Sequence, residues 1–446
     1  MRVLFSNPPW WIERKKRWPR KSRWWAGVRA GSRWPFTTTT RSRPDAPALK
    51  EYVPYPFFMG YATTYVGKHT NADVALRDSI ALRESYESYF RYLQDTQPDL
   101  IFFEIASPSW DHDTALLRHV HELLPDARIA VVGPITVTKS DELLNDYPVI
   151  ACIRGEYEKG SVKVVEGAEG VVDFDLLEKS EMNEAPYPYM DPALPERYWD
   201  QNPLGHIFPH AHVWSSRGCP FKCIFCVWPA TMTGQDPDGN QTRTVRHYSP
   251  DYMEGFLTEW IERYGFKSIY FDDDTFNLGN RHVLQMCEVM KRIGIPWSAM
   301  CRADTSKLES WEVMKDSGCY GVKLGIESGN QYVVDKIVNK HLSLDQAREV
   351  VHEIKRVGMS VHGTFTYGLP GETPEHMIET KKFIESLPFD TVQESGTAEI
   401  EGTPLHTLRK SGELAKYEGA RIDETYQREV DGNVKFQKMA EGLRDA

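Results

Sequence analysis

The sequence has few cysteines, no long apolar run and no compositional extreme, and each of these absences narrows the class of protein. Its 446 residues include only 7 cysteines, too few for the disulfide framework that stabilises small secreted domains. No apolar stretch approaches the roughly 18 residues that span a membrane, and the opening residues become polar too quickly for a signal peptide. We therefore expect a cytoplasmic protein without a membrane span.

Composition and length are those of a folded protein. Hydrophobic residues make up 41% of the chain and charged residues 26%, which excludes the disordered and fibrous classes. A chain of 446 residues is too long for one ordinary core and suits two domains of about 150 to 200 residues each. The sequence therefore predicts two domains.

The net charge of −11 hides a basic, tryptophan-rich segment near the start of the chain. Its cations face a single acidic residue, Glu13; they are Arg14, Lys15, Lys16, Arg17, Arg20, Lys21, Arg23, Arg29, Arg33, Arg41 and Arg43. Tryptophans lie among them, namely Trp10, Trp11, Trp18, Trp24, Trp25 and Trp34. Such a mixture could cradle an anionic or planar ligand, or it could be a solvated arm. The many large rings favour a folded lid over an arm, and hence a substrate that carries a carboxylate or phosphate.

Short apolar runs alternate with helical patterns over residues 1–156. The runs occupy residues 3–5, 99–105, 128–134 and 149–153. This alternation predicts an α/β domain with a doubly wound, Rossmann-like parallel sheet, whose ligand crevice lies at the carboxyl ends of the strands. Residues 157–205 are rich in Glu, Pro and Asp and lack periodicity, which predicts an interdomain linker.

Residues 206–395 repeat strand and helix patterns, which predicts a full or partial β/α barrel. Strands are expected at residues 211–215, 268–271, 297–300, 321–326 and 360–367, and helices between them, for example at 251–264 and 344–357. In such a barrel the functional groups lie on the loops that follow the strands. Residues 396–446 are expected to form a C-terminal extension.

Three cysteines with the spacing Cys-x-x-x-Cys-x-x-Cys follow the first predicted strand of this second domain; they are Cys219, Cys223 and Cys226. Three thiolates on one loop can hold three irons of a four-iron, four-sulfur cluster and leave the fourth iron open. The alternatives are a zinc site, for which no fourth ligand follows at matching spacing, or a set of buried thiols. The other cysteines are scattered along the chain, and each has apolar neighbours, which favours buried packing over a second cluster; they are Cys152, Cys287, Cys301 and Cys319.

This spacing resembles the signature of the radical S-adenosylmethionine (SAM) superfamily, whose barrel places it on the loop after the first strand. Further motifs follow later strands in the family's order, at residues 271–276, 302, 325–329 and 368–373. The resemblance implies a four-iron, four-sulfur cluster on the three cysteines, and SAM bound at Asp273, Asp274, Arg302, Glu327, Ser328, Gly368 and Pro370. Carboxylates suit the ammonium and hydroxyl groups of SAM, and an arginine suits its carboxylate.

The first domain is similar to that of the cobalamin-binding radical SAM enzymes. Three tripeptides match that subgroup in order, at residues 7–9, 132–134 and 154–156. The resemblance implies cobalamin bound at Asn7, Pro8, Ser107, Gly133, Pro134, Gly155 and Glu156. The Asp-x-His-x-x-Gly motif that supplies a cobalt ligand in other cobalamin domains is absent, because Asp111-His112-Asp113 does not reproduce it. The domain could instead be a vestigial sheet that only shapes the substrate pocket.

The resemblance implies an enzyme that methylates an unactivated carbon, or less often phosphorus, centre of a small molecule. It also implies an external one-electron reductant such as flavodoxin or ferredoxin. One alternative is a radical SAM enzyme without methylation, such as a cyclase, oxidase or rearrangement catalyst. Another is a non-enzymatic iron–sulfur protein that binds nucleic acid, which the basic segment suggests but the acidic total and the lack of a nucleic-acid motif oppose. The sequence assigns no catalytic residue.

Overall fold

The chain forms two compact units in a computed structural model, which describes residues 1–13, 23–25, 53–198, 207–234, 243–397 and 399–413. The first unit consists of Met1–Gln201 and Val227–Pro237, and the second of Asn202–Cys226 and Asp238–Ala446. No helix within the described ranges has both the length and the apolar character needed to cross a lipid bilayer. Most of the basic, tryptophan-rich segment lies outside the described residues, so its role stays a prediction.

The first unit is built around a six-stranded parallel sheet. The strands of the whole unit are β1 (Arg2–Asn7), β2 (Trp11–Glu13), β3 (Arg23–Trp25), β4 (Asp73–Asp78), β5 (Leu100–Glu104), β6 (Arg128–Val132), β7 (Ala151–Ile153) and β8 (Gly170–Val172). Strands β2 and β3 pair separately as an antiparallel ribbon, and the large sheet has the order β4-β1-β5-β6-β7-β8. The chain leaves β1 toward one edge and then continues from β5 toward the other. This reversal confirms the predicted doubly wound α/β fold.

Helices connect these parallel strands or follow the last of them in the chain. They are α1 (Phe57–His69), α2 (Tyr86–Thr96), α3 (Trp110–Leu123), α4 (Thr136–Asp146), α5 (Glu158–Val165), α6 (Lys179–Glu184) and α7 (Trp228–Met232), with a 3₁₀ turn at Ser107–Ser109. Strand β5 is buried along its whole length, because helices cover both faces of a parallel sheet and make its strands continuous apolar runs. Apolar side chains of α2 and α3 pack on this sheet as part of the core of the unit.

The second unit contains six parallel strands that neighbour one another in chain order. Its strands are β9 (His210–Val213), β10 (Ser216–Arg217), β11 (Arg246–His247), β12 (Ser268–Phe271), β13 (Trp297–Cys301), β14 (Cys319–Glu327), β15 (Ser360–Tyr367) and β16 (Thr391–Gly396). The sheet order is β9-β12-β13-β14-β15-β16, while β10 and β11 pair antiparallel. Sequential parallel strands of this kind confirm the predicted partial β/α barrel.

Helices follow the barrel strands at the positions that local capping signals indicate. They are α8 (Pro250–Tyr264), α9 (Asn280–Ile293), α10 (Glu309–Asp316), α11 (Leu344–Arg356), α12 (Pro374–Glu385) and α13 (Pro404–Lys410), with a π-helical turn at Val333–Ile337. Ser249 caps α8 by accepting a hydrogen bond from the backbone N–H of Tyr252, and Gly265 ends that helix in the left-handed conformation. Ser343 caps α11 in the same way, as expected for N-terminal serines.

The structure differs from the predicted linker at residues 157–205. Helix α5 and strand β8 lie within that stretch, and β8 pairs with β7 as the edge of the first sheet. A three-residue strand and an eight-residue helix are too short to produce a readable hydrophobic period, so the polar composition dominated the sequence pattern. Strands β4 and β16 were not predicted either, because edge strands such as β4 carry polar residues among their apolar ones.

Candidate functional site

The three cysteines lie on a loop that begins where β10 ends. Gly218 adopts a φ of 90° immediately before Cys219, a conformation that glycine tolerates without steric cost. Backbone bonds then anchor the loop to distant segments: the N–H of Ile224 donates to the carbonyl of Val338 at 2.9 Å, and its carbonyl accepts from the N–H of Leu405 at 2.9 Å. Arg243 adds a bond from its guanidinium to the carbonyl of Phe221 at 2.6 Å. The loop is therefore fixed from several sides.

All three thiols are free of disulfides, which leaves them available as ligands. Cys219 and Cys223 are buried and Cys226 is half-buried, and Cys223 packs among Val333, Ile337, Val338 and Leu369. Burial raises the pKa of the Cys219 thiol to about 11, and the nearby Asp274 carboxylate adds to the shift. A metal ligand must be deprotonated, so iron would have to replace the proton of this thiol.

No group of three or more His, Cys, Asp or Glu side chains is arranged to hold one metal ion in the described ranges. A structural zinc ion needs four ligands converging on a single centre. A four-iron cluster spreads its ligands, because each thiolate binds a different iron atom. Three thiols without disulfides, on one anchored loop in an apolar setting, fit the cluster.

The structure places Asp273 beneath the cysteine loop instead of leaving it open to a ligand. The side chain is fully buried, and its oxygens accept hydrogen bonds from the backbone N–H of Ser215 at 3.1 Å and from the hydroxyls of Ser215 and Ser216. Burial raises the pKa of Asp273 to about 6, although these donors pull it the other way. Its neighbour Asp274 is half-buried next to Cys219. Asp273 thus connects the end of β12 to the start of the cysteine loop.

Arg302 and Glu327 lie at the ends of β13 and β14. The Arg302 guanidinium is 3.5 Å from the centre of the Phe221 ring in the cysteine loop, and it donates two bonds to Asp304 at 2.7 and 2.9 Å. Glu327 accepts from the ammonium of Lys340 at 3.2 Å and from the hydroxyl of Thr366 at 2.8 Å. Arg302 therefore contacts the cysteine loop, whereas Glu327 pairs with Lys340 and Thr366, and each already has protein partners.

The remaining residues predicted to bind SAM fall into two groups. Ser328 is buried against α12, where its hydroxyl pairs with that of Thr380 at 2.9 Å. Gly368 and Pro370 lie in the loop after β15, next to Leu369, which contacts Cys223. Gly368 has a φ of 73° and open space where a Cβ atom would lie. The loop after β15 thus lies beside the cysteines, whereas Ser328 packs against α12.

The structure places all the residues predicted for cobalamin at one edge of the first sheet. Asn7 ends β1 and Pro8 follows it, while the others follow β5, β6 and β7: Ser107, Gly133, Pro134, Gly155 and Glu156. Because these strands are parallel, their carboxyl ends meet at the same edge, and the order of the sheet reverses between β1 and β5. Open α/β sheets bind their ligands at this switch point.

Close packing and buried polar groups characterise this edge. A Cβ atom on Gly133, whose φ is 108°, would lie 2.6 Å from the carbonyl oxygen of Ile105, so only glycine fits. The Asn7 amide donates to Asp78 at 2.7 Å, while its Oδ1 is buried without a hydrogen-bond partner among the described residues. An unpaired buried acceptor is costly, and the propionamide groups around a corrin ring are donors that would satisfy it. The edge therefore fits cobalamin.

Two features of these sites were missed from the sequence. Lys340 enters the cysteine site from the turn after the π-helix, where Asn339 and His341 both have positive φ values. Asn and His are residue types enriched in that conformation, which is the only local signal. In the first unit, His112 contacts the hydroxyl of Tyr86 through Nε2 at 2.9 Å and Asp113 through Nδ1 at 3.0 Å, so both ring nitrogens are engaged.

Comparison with known proteins agrees with this arrangement. The model of the radical SAM superfamily matches residues 215–384, which include the cysteine loop and most of the partial barrel. The chain is 27% identical over 350 residues to an uncharacterized methyltransferase of Pyrococcus horikoshii, covering 75% of this chain and 74% of that protein. It is 26% identical over 240 residues to cytidylyl-2-hydroxyethylphosphonate methyltransferase of Streptomyces wedmorensis, covering 50% of this chain and 43% of that protein.

The fold is also similar to a solved structure. TsrM, a radical SAM methyltransferase from Kitasatospora setae, superposes with a TM-score of 0.62 at 14% identity, covering 79% of this chain and 71% of TsrM, and that structure contains cobalamin and a [4Fe-4S] cluster. At this identity the likeness concerns the fold. The family match and the cysteine loop together confirm the predicted radical SAM domain, which this chain contains at residues 215–384.

Proposed function

We propose that this protein is a cobalamin-dependent radical SAM methyltransferase that acts on a small molecule. One observation carries the proposal: a single chain combines a cysteine loop near the first strand of a partial barrel with a doubly wound sheet that has Asn7, Gly133 and Glu156 along its carboxyl edge. Relatives of this chain that are named methyltransferases support the proposal. When bound, the cluster supplies an electron for reductive cleavage of SAM, and cobalamin supplies a transferable methyl group.

The protein residues hold and shield these groups. The buried thiols of Cys219 and Cys223 bind iron in an apolar environment, which excludes the water and oxygen that would consume reactive species. Arg302, stacked on Phe221, and Glu327 are proposed to face SAM from the ends of β13 and β14. A methyl acceptor without a usable nucleophile, at carbon or phosphorus, is the substrate class that needs this chemistry.

Two parts of the proposal rest on the sequence. The cations Arg20, Lys21 and Arg23 suggest a substrate with a carboxylate or phosphate. Except for the backbone of Arg23, these residues lie outside the described ranges. Reduction of the cluster requires an external one-electron carrier such as flavodoxin or ferredoxin. A radical SAM enzyme without methylation is the competing function, and cobalamin binding together with a methylated product distinguishes the two.

Cobalamin should bind the first unit without a histidine ligand to cobalt. His112 lies on the relevant edge, but Tyr86 and Asp113 occupy its ring nitrogens. Electron paramagnetic resonance of cob(II)alamin in protein grown on ¹⁵N, with unlabelled cobalamin, measures this directly. We expect the nitrogen superhyperfine pattern to be identical in ¹⁵N and ¹⁴N protein, and to be unchanged in His112→Ala. A splitting that changes with the protein isotope would contradict the expected coordination, and failure to bind cobalamin would refute the proposed function.

A further inference from the structure

Lys340 is a buried cation that the proposed chemistry does not account for. Only 6% of the residue is exposed. Its ammonium lies 3.2 Å from the Glu327 carboxylate, which is also largely buried. Burial lowers the pKa of a lysine, yet the pKa of Lys340 is raised, because the Glu327 carboxylate and the Cys223 thiol outweigh the burial. The side chain is therefore a fixed positive charge inside the second unit.

The backbone around this ion pair adopts conformations that side-chain-bearing residues avoid. Asn339 and His341, which flank Lys340, have φ values of 59° and 54°, and Glu327 has a φ of 75°. The pairing of β14 with β15 shifts register between Gly325 and Glu327. Strained residues of this kind persist where the surrounding structure holds them, and they cluster at functional sites. Both partners of the ion pair are thus held in place by strained backbone.

The Lys340 turn is attached directly to the cysteine loop. The Val338 carbonyl accepts from the N–H of Ile224 at 2.9 Å, and the Asn339 amide donates to the Lys222 carbonyl at 3.1 Å. Val338 also packs against Cys223. The Lys340 carbonyl in turn accepts from Arg302 at 2.9 Å. Lys340 is therefore anchored through neighbours on both sides of Cys223, within electrostatic reach of that thiol.

We propose that Lys340 is a positioning residue that tunes the electron affinity of the cluster, through its positive charge beside Cys223. This inference rests on the part of the proposed function that places a cluster on the three cysteines. One electron from an external one-electron reductant enters the cluster, whose net charge becomes more negative by one while the reductant is oxidised by one electron. A nearby cation stabilises the added negative charge, and cluster potentials depend on local charge and hydrogen bonding. Lys340 therefore favours the reduced state.

The test is the midpoint potential of the reconstituted cluster, measured by a redox titration with dithionite and mediators, followed by electron paramagnetic resonance without SAM. In Lys340→Met we expect reduction to become at least about tenfold less favourable, equivalent to a potential lower by ~59 mV for one electron. Lys340→Arg keeps the charge and should retain most of the wild-type potential. Lys323→Met is the matched control, because Lys323 is also buried on β14 but lies over the Tyr270 ring; its potential should match wild type.

Iron and sulfide content of each variant separates this inference from the proposed function. An intact cluster with the wild-type potential in Lys340→Met would overturn the role of Lys340 and leave the cluster assignment standing. If Lys340→Met does not load iron, the midpoint potential of Glu327→Gln is measured instead. Removing the balancing carboxylate should make reduction of the cluster more favourable, and an unchanged or lower potential would overturn the inference. Failure of the wild-type protein to bind iron would instead refute the proposed function.

Discussion

Simultaneous replacement of Cys219, Cys223 and Cys226 by alanine should abolish iron loading and all reductive cleavage of SAM. The three thiols lie together on the anchored loop, whereas the other cysteines lie on separate strands and helices: Cys152, Cys287, Cys301 and Cys319. We expect iron and acid-labile sulfide to fall to background after anaerobic reconstitution, and 5′-deoxyadenosine production to fall with them.

Cys287→Ala is the matched control for loss of a buried thiol in the same unit. Cys287 lies in α9, and burial raises the pKa of its thiol to about 11, which makes it a packing residue. This variant should load iron like the wild-type protein. Continued production of 5′-deoxyadenosine by the triple variant would contradict the assignment of the site.

Asp273→Ala should mainly lower the free energy of unfolding of the second unit. Its direct effect on the affinity for SAM should be small. The substitution strands the backbone N–H of Ser215 and the hydroxyl of Ser216, both of which are buried, while the Ser215 hydroxyl keeps its contact with Nε2 of His282 at 2.9 Å. Each unsatisfied buried donor costs roughly 1–3 kcal/mol, so we expect a loss of about 2–4 kcal/mol after partial relaxation. Urea unfolding of the iron-free protein measures the loss, and poorer iron loading should accompany it because these serines precede the cysteine loop.

Asp273→Asn should recover much of this stability, because its amide keeps an acceptor oxygen for the serines. Asp316→Ala removes an exposed carboxylate from the same unit and should change stability by no more than about 0.5 kcal/mol. A stable, iron-loaded Asp273→Ala variant that has lost SAM affinity would show that Asp273 is a ligand residue, as the family resemblance implies, and not a support of the loop.

The sequence predicted most clearly the strands that are apolar runs. Strand β5 and strand β6 were found because parallel strands buried on both faces carry few polar residues. Strand β8 was missed because three residues at a sheet edge carry no measurable period. The motifs could be assigned to the ends of successive strands because most of those strands were predicted. In parallel sheets the carboxyl ends of the strands share one edge, so the motifs were expected to lie together.

The directions of individual side chains and the strained backbone conformations could not be predicted from the sequence. Three consecutive aspartates follow β12, and their order does not reveal that Asp273 points inward to the serines. The approach of Lys340 to Glu327 depends on left-handed backbone at three positions, which residue type only favours. Tertiary packing decides both, so the sequence located the site but could not assign which residues touch a ligand and which support those that do.

The central claim is best tested by following the fate of doubly labelled SAM with the wild-type protein, reconstituted anaerobically with iron, sulfide and cobalamin and given a one-electron reductant. The two labels, in the adenosyl and methyl groups, are measured in the same reaction. The account predicts label in 5′-deoxyadenosine and, separately, methyl label on cobalamin. Adenosyl label without methyl transfer would favour a radical SAM enzyme that does not methylate. Neither product from a protein with an intact cluster would contradict the account.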